Sequence, residues 1–271
     1  MNDLLTDLSI LWPALLAGIL VAVSHVPLGQ QVLARGIVFI DLAIAQVAGL
    51  GVIAAAHFDL PVTGWGAQVA AGAAALAGAL LLTWTERKRP EVQEALIGIL
   101  FVLASTAQIL LLANDPHGGE NLKDLLAGQI LWVSSSQLIR TAILTAVFAL
   151  IWFTWREKIG RIGFYVLFAL VVTASVQLVG VYLVFTTLIV PAVATYRHAN
   201  RRQLGFGYAL AFGSYVVGLG VSLITDLPAS PVIVWAMGVL GLAVHLTGRK
   251  AAAAQAAAPA HVRQEEVERT A

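Results

Sequence analysis

Cysteine is missing from this chain, so neither a disulfide nor a thiolate metal ligand can form. Charge is nearly as scarce. Asp, Glu, Lys and Arg make up 11% of the 271 residues, against about 25% in a soluble domain. With 59% of residues hydrophobic, there is too little polar surface to wrap the chain in water. The segments of about ten residues with period-2 alternation that build an outer-membrane barrel do not recur. Nor is there a nucleophile–base pairing, an acidic catalytic pair or a phosphate-cradling Gly-rich loop leading into a helix. The chain is therefore not expected to be an enzyme. Whatever energy it uses must come from another subunit or an ion gradient. A formal net charge of +1 gives no reason to expect a nucleic-acid partner, and what matters is where the charges sit.

What is present is a succession of apolar runs, each near the 20 residues that a membrane span needs. They fall at roughly 8–26, 37–57, 64–84, 94–113, 138–155, 163–178 with 180–196, 206–224 and 231–246. The fold class they predict is all-α: a polytopic transmembrane helical bundle of about eight spans. Small residues pepper the runs, from Ala70 to Gly78 and from Gly213 to Gly220, as suits helices that approach closely in lipid. The first run follows acidic residues, Asp3 and Asp7, rather than the basic start of a cleavable leader, and is read as a retained span.

Lys and Arg set the orientation. Arg35, Arg87 to Arg89, Arg156 with Lys158 and Arg161, Arg197 with Arg201 and Arg202, and Arg249 with Lys250 mark cytoplasmic segments. The segments His57–Gly64, Asn114–Gln137 and Thr225–Ser230 read as external. Basic segments flank 163–196 on both sides, so that stretch crosses twice, hinged near Gly180, or forms a broken re-entrant pair of the kind transporters set beside their pathways. Residues Glu120–Ser136 read as an amphipathic interfacial helix with Trp132 at the headgroups. Residues 248–271 read as a flexible cytoplasmic tail.

Three stretches resemble the permease subunit of metal-type (zinc/manganese/iron) ATP-binding-cassette importers. They are Pro27 to Gly51, containing Asp41 and Gln46; Val179 to Thr195 through Pro191; and Asp226-Leu-Pro-Ala-Ser-Pro231. Leu126-Ala-Gly-Gln-Ile-Leu131, between them, resembles the family's Phe-Gly-Asp-Leu-Leu stretch. The resemblance covers about 15–246. It implies a permease domain over 1–247 in a bacterial cytoplasmic membrane, a second copy of the chain, a cytoplasmic ATPase that binds the ATP, and an extracytoplasmic solute-binding protein. The cargo would be a divalent cation such as zinc or manganese, with no cofactor held by the chain itself. The alternative is a gradient-driven secondary transporter or channel, which would want more ionisable groups in mid-span.

The residue chemistry supplies candidates for both jobs. Val190-Pro191 predicts a break followed by a fresh helix over 192–202, and the resemblance makes this the coupling helix seated on the ATPase: Pro191, Ala192, Thr195, Arg197, Arg201 and Arg202. Asp41 is the one carboxylate placed inside a span, where an ionised group must face protein or water. It reads either as a pathway ligand for the metal or as a helix cap or partner for Arg35. Gln46, Gln108 and Gln177 join it as pathway polar groups, with interhelical hydrogen bonding the more economical role. The family usually offers Asp and His four apart on the second span. Here Gln46 stands at the His position, five after Asp41, and five helical steps turn two side chains about 140° apart. A second family His aligns with Val102, and the Asp of Phe-Gly-Asp with Gln129. His25 and His245 read as residues near span ends, and the external Asp115, His117 and Glu120 as turn chemistry.

Overall fold

In a bilayer only a helix or a closed barrel satisfies every backbone N–H and C=O within the protein, and this chain takes the first solution. The computed structural model describes residues 2–58, 65–112, 126–155, 158–196, 198 and 200–257, with side chains for 11–58, 65–112, 126–155, 158–196, 198 and 202–246. Among the described residues there is no strand. The helices are α1 (Asn2–Arg35), α2 (Ile40–His57), α3 (Trp65–Lys88), α4 (Gln93–Leu112), α5 (Ser135–Trp155), α6 (Arg161–Val179), α7 (Val181–Thr195), α8 (Asn200–Thr225) and α9 (Ala229–Ala257). Eight are long and apolar enough to cross a membrane; α7, with 15 residues, is the shorter apolar helix.

Burial grades from the centre outward. In its apolar window α6 is 67% buried inside the molecule, whereas α4 is only 17% buried. The outer helices touch the core along single stripes at helical spacing: Ala71, Ala75, Gly78 and Leu82 on α3, and Leu138, Thr141, Thr145, Phe148 and Trp152 on α5. Their other faces expose Leu80, Leu81, Ile99, Leu103, Leu110, Ile139, Ile143 and Leu150. Apolar exposure on that scale is foreign to a soluble monomer and is the surface lipid requires.

The 163–196 stretch forms two helices, α6 and α7, broken at Gly180 as its sequence predicts. Gly180 adopts φ 84° and ψ 162°, a region essentially reserved for glycine. The turn is buried: Val179 and Val181 are 0% and 2% exposed. A Cβ on Gly180 would collide with Ala127 and Gly128, and one on Gly128 (φ 68°) would collide with Val179. The 126–132 segment thus covers the turn, as non-helical backbone at membrane depth demands. At the opposite, basic end, Arg161 pairs with Glu86 at 3.6 Å and the Phe39 N–H donates to Glu94 at 3.2 Å.

Three expectations are corrected. The amphipathic helix expected over 120–136 is seen at Leu126 and Ala127 but is not continued over 128–134. Left-handed Gly128, a 3-10 turn at Ile130–Trp132 and extended Val133 occupy that stretch, because the backbone must approach Gly180; residues 120–125 lie outside the described set. Nor does Pro27 end the first span, since α1 runs on to Arg35. The carbonyl that Pro27 leaves without a helical donor is that of Val23, and the Tyr208 hydroxyl of α8 donates to it at 3.1 Å. Likewise Pro191 starts no helix: it lies inside α7, which stops at Thr195, and the next helix begins at Asn200. Threonine hydroxyls turn back onto that helix, Thr186 donating to Tyr182, Thr187 to Leu183 and Thr195 to Pro191 at 2.6–2.8 Å; the carbonyl that Pro191 deprives of a donor is that of Thr187.

Tyr208→Phe should lower the melting temperature in detergent by about 2–4 °C, the effect of losing about 1 kcal/mol. Once Pro27→Ala restores the missing N–H, the same change should cost much less. Equal losses in the two backgrounds would show that the hydroxyl does nothing for that carbonyl.

Candidate functional site

Asp41 sits in the first turn of α2 and is 1% exposed. Its Oδ1 is buried with no hydrogen-bond partner. It does not pair with Arg35, whose guanidinium lies 4.0 Å from the centre of the Phe164 ring. The N-cap of α2 is Phe39, and no side chain caps that end. Asp41 is thus a carboxylate held in the interior with one oxygen free, an arrangement that disfavours the bare charge and favours whatever cation or proton reaches it.

Gln46 is also buried, but it faces a different neighbour. The Gln108 amide of α4 donates to both the side-chain oxygen of Gln46, at 2.7 Å, and its backbone oxygen, at 2.9 Å. The backbone carbonyl can only accept, so Gln108 must present its NH2 here and Gln46 its oxygen. The carbonyl of Gln46 is therefore engaged between helices, and the free acceptor of the pair is the buried Oε1 of Gln108. Gln177 stands apart, near the outer end of α6, in a cavity with Gln68, Gln137 and Arg140. Of the four polar residues singled out in the sequence, the fold brings together only Gln46 and Gln108. Among the described residues no group of three His, Asp or Glu side chains is placed to hold a metal ion.

The expected coupling residues divide by exposure. Pro191, Ala192 and Thr195 are buried in α7. Tyr196 is 68% exposed, and Arg202 faces out from the first turn of α8. Arg197 and the side chain of Arg201 lie outside the described set. Beside this turn, on the same basic end, opens a groove of about 680 Å³ lined by Gln30, Gln31, Tyr196, His198 and Gln203 among others. The buried Gln30 Nε2 and His198 Nδ1 are without partners.

Four features escaped the sequence reading. His25 is not at a span end but fully buried in mid-α1, its Nδ1 3.0 Å from both the Val21 carbonyl and the Ser24 hydroxyl. Continuity of α1 through Pro27 puts it there. Glu94 takes the Phe39 N–H, and Glu86 pairs with Arg161; the acidic residues beside the Arg87–Arg89 run were the available signal. Arg140, five residues into α5, was visible as a lone charge inside an apolar run.

An all-helical, multi-pass membrane protein with a buried broken helix pair and an exposed basic turn is the class these features define. The chain belongs to the ABC 3 transport family, whose model matches residues 7–160 and 157–247. It is similar to the manganese transport system membrane protein MntC of Halalkalibacterium halodurans, 28% identical over 255 residues that cover 86% of this chain and 85% of that one. It is also similar to the high-affinity zinc uptake system membrane protein ZnuB of Haemophilus influenzae, 24% identical over 247 residues, with 83% of this chain and 92% of that one covered. Its fold matches a chain of PsaBC from Streptococcus pneumoniae, solved in complex with a Fab, with a TM-score of 0.71 at 22% identity, over 87% of this chain and 90% of that chain.

The Gln46–Gln108 bond generates a prediction. Gln108→Leu should destabilise the purified protein, and Gln46→Leu/Gln108→Leu should lose less than the sum of the single changes, by about 0.6–1.7 kcal/mol. Strictly additive losses in melting temperature would mean that the two amides do not couple.

Proposed function

We propose that the chain is the membrane-spanning permease subunit of an ATP-binding-cassette importer for a divalent metal cation, manganese or zinc, in a bacterial cytoplasmic membrane. It works as a pair with a second copy of itself, above cytoplasmic ATPase subunits and below an extracytoplasmic binding protein. The observation that carries this reading is the family match over nearly the whole span-bearing chain, supported by relatives whose names specify manganese transport and zinc uptake. The lack of any nucleotide-binding loop in the sequence is consistent with a motor on another chain.

Within that assembly the basic turn between α7 and α8 is the surface for the ATPase. Tyr196, Arg197, Arg201 and Arg202 present it, while Pro191, Ala192 and Thr195 act from inside, holding the end of α7 rigid beneath it. Asp41, with its free buried oxygen, is the carboxylate that attracts the cation on its way through. Gln46 and Gln108 fix α2 against α4 and leave one amide oxygen as a weak, hard ligand suited to a hydrated divalent ion. So sparse a ligand set places selectivity mainly in the binding protein and lets the ion leave quickly.

In vesicles containing the assembled transporter, uptake of radiolabelled manganese or zinc should require ATP. Arg197→Glu/Arg201→Glu/Arg202→Glu should abolish both co-purification with the ATPase and uptake. Full-rate uptake by this chain alone, without nucleotide, would sink the reading in favour of a gradient-driven carrier. Asp41→Asn should leave assembly intact and slow uptake at least about tenfold, the equivalent of about 1.4 kcal/mol; undiminished uptake removes Asp41 from the pathway.

A further inference from the structure

A cavity of about 240 Å³ opens between α3, α5 and α6, lined on its polar side by Gln68, Gln137, Arg140, Thr141 and Gln177, with Trp65 at its rim. It lies at the end of the molecule opposite the basic one, where α3 and α5 begin, and so faces the external leaflet. None of its lining residues is acidic. Arg140 lies with its guanidinium carbon 5.6 Å from the centre of the Trp65 ring, and its Nε is buried without a hydrogen-bond partner. The Nε2 of Gln177, in the same cavity, is likewise buried and unpartnered.

The third amide is committed in the same sense. The oxygen of Gln137 accepts from the backbone N–H and the hydroxyl of Ser134, each at 2.9 Å, and the Ser134 hydroxyl accepts from the Gln137 N–H at 3.3 Å. This capping box uses up the oxygen of Gln137 and leaves its NH2 as the group available to the cavity. A cation and two or three N–H donors therefore converge on one space with no carboxylate among the described residues to receive them. An unpaired buried donor is costly, and a guanidinium more so, so the cavity is built for an oxyanion.

Depth selects the kind. Arg140 stands five residues below the start of α5, about 8 Å along the axis, and arginine side chains in spans reach back toward the interface. Trp65, 70% exposed at the rim, is a residue type that settles among headgroups. Apolar Ile143 and Leu144 continue the lining downward, along the course an acyl chain would follow.

We propose that this cavity binds the phosphate of an outer-leaflet phospholipid, with Arg140 as the charged ligand and Gln68, Gln137 and Gln177 as hydrogen-bond donors. The site is independent of the metal pathway and of the ATPase surface. The test uses the purified full chain in detergent, with dioctanoyl phosphatidylglycerol, dioctanoylglycerol or inorganic phosphate added. Dioctanoyl phosphatidylglycerol should raise the melting temperature by about 5 °C at saturation, and native mass spectrometry should show one bound lipid per chain. Arg140→Gln should abolish the shift and Gln177→Leu should reduce it, while the two other additives leave the wild type unchanged. An equal shift with dioctanoylglycerol would mean that only the chains matter, and an equal shift with inorganic phosphate that the site takes a free anion. Either result overturns the proposal, as does an Arg140→Gln protein that keeps the full response. Should Arg140→Gln fail to fold, the Gln177→Leu protein and the three additives on the wild type still decide the matter.

Discussion

A backbone carbonyl that loses its helical donor inside a bilayer must find another within the protein, because lipid offers none. Much of this architecture answers that demand. Pro27 orphans the Val23 carbonyl, and Tyr208 reaches across from α8 to satisfy it. Gly180 breaks the chain between α6 and α7 at buried depth, and the 126–132 segment packs its own backbone against the break. Where polar side chains enter the interior they mostly turn back onto nearby carbonyls, as Ser24, Thr83, Thr187, Thr195 and Ser214 do. Among the groups left unsatisfied are Asp41 Oδ1, Gln108 Oε1, Arg140 Nε and Gln177 Nε2.

These four groups are separated by depth. Asp41 belongs to the basic end, where α2 begins beside the end of α1. Gln46 and Gln108 lie between α2 and α4 in the interior, and Arg140 with Gln177 lies toward the external end. The outer helices α3, α4 and α5 reach the core by single stripes and leave whole faces of Leu and Ile outward. The heavily buried α6 and α7 carry the irregular backbone, as they must, since only there is it shielded.

Much of the fold was legible because a span announces itself by length and apolar content alone. The run 206–224 became α8 and 231–246 fell within α9, and the break at Gly180 was readable because basic segments flank an apolar stretch too long for one crossing and too short for two full ones. The prolines misled. In water Pro27 and Pro191 would end helices; here both helices run on, and at Pro27 the hydroxyl of Tyr208 is recruited to repair the break. The helix expected over Glu120–Ser136 stops at Ala127 for the converse reason, because beyond it local amphipathic spacing was overridden by a tertiary contact at Gly180. Of the site, Asp41 stood out in the sequence as an ionisable group in a span. The bond between Gln46 and Gln108 links residues 62 apart, and no spacing rule reaches that far. His25 was hidden by the misjudged end of the first span.

Helix α8 is pinned to its neighbours at two heights: Tyr208 to the Val23 carbonyl of α1 and Tyr215 to the Thr187 hydroxyl of α7, the latter at 3.0 Å. Seven residues separate the two tyrosines, about 10 Å of axis. Pivoting α8 against α1 or against α7 costs the hydrogen bond that ties it to that partner, so the three helices move most cheaply as one body. The slack must then be taken up where that body ends, in the short joint from Gly36, at φ 68°, to Phe39. The next turn of chain after that joint is the one that holds Asp41.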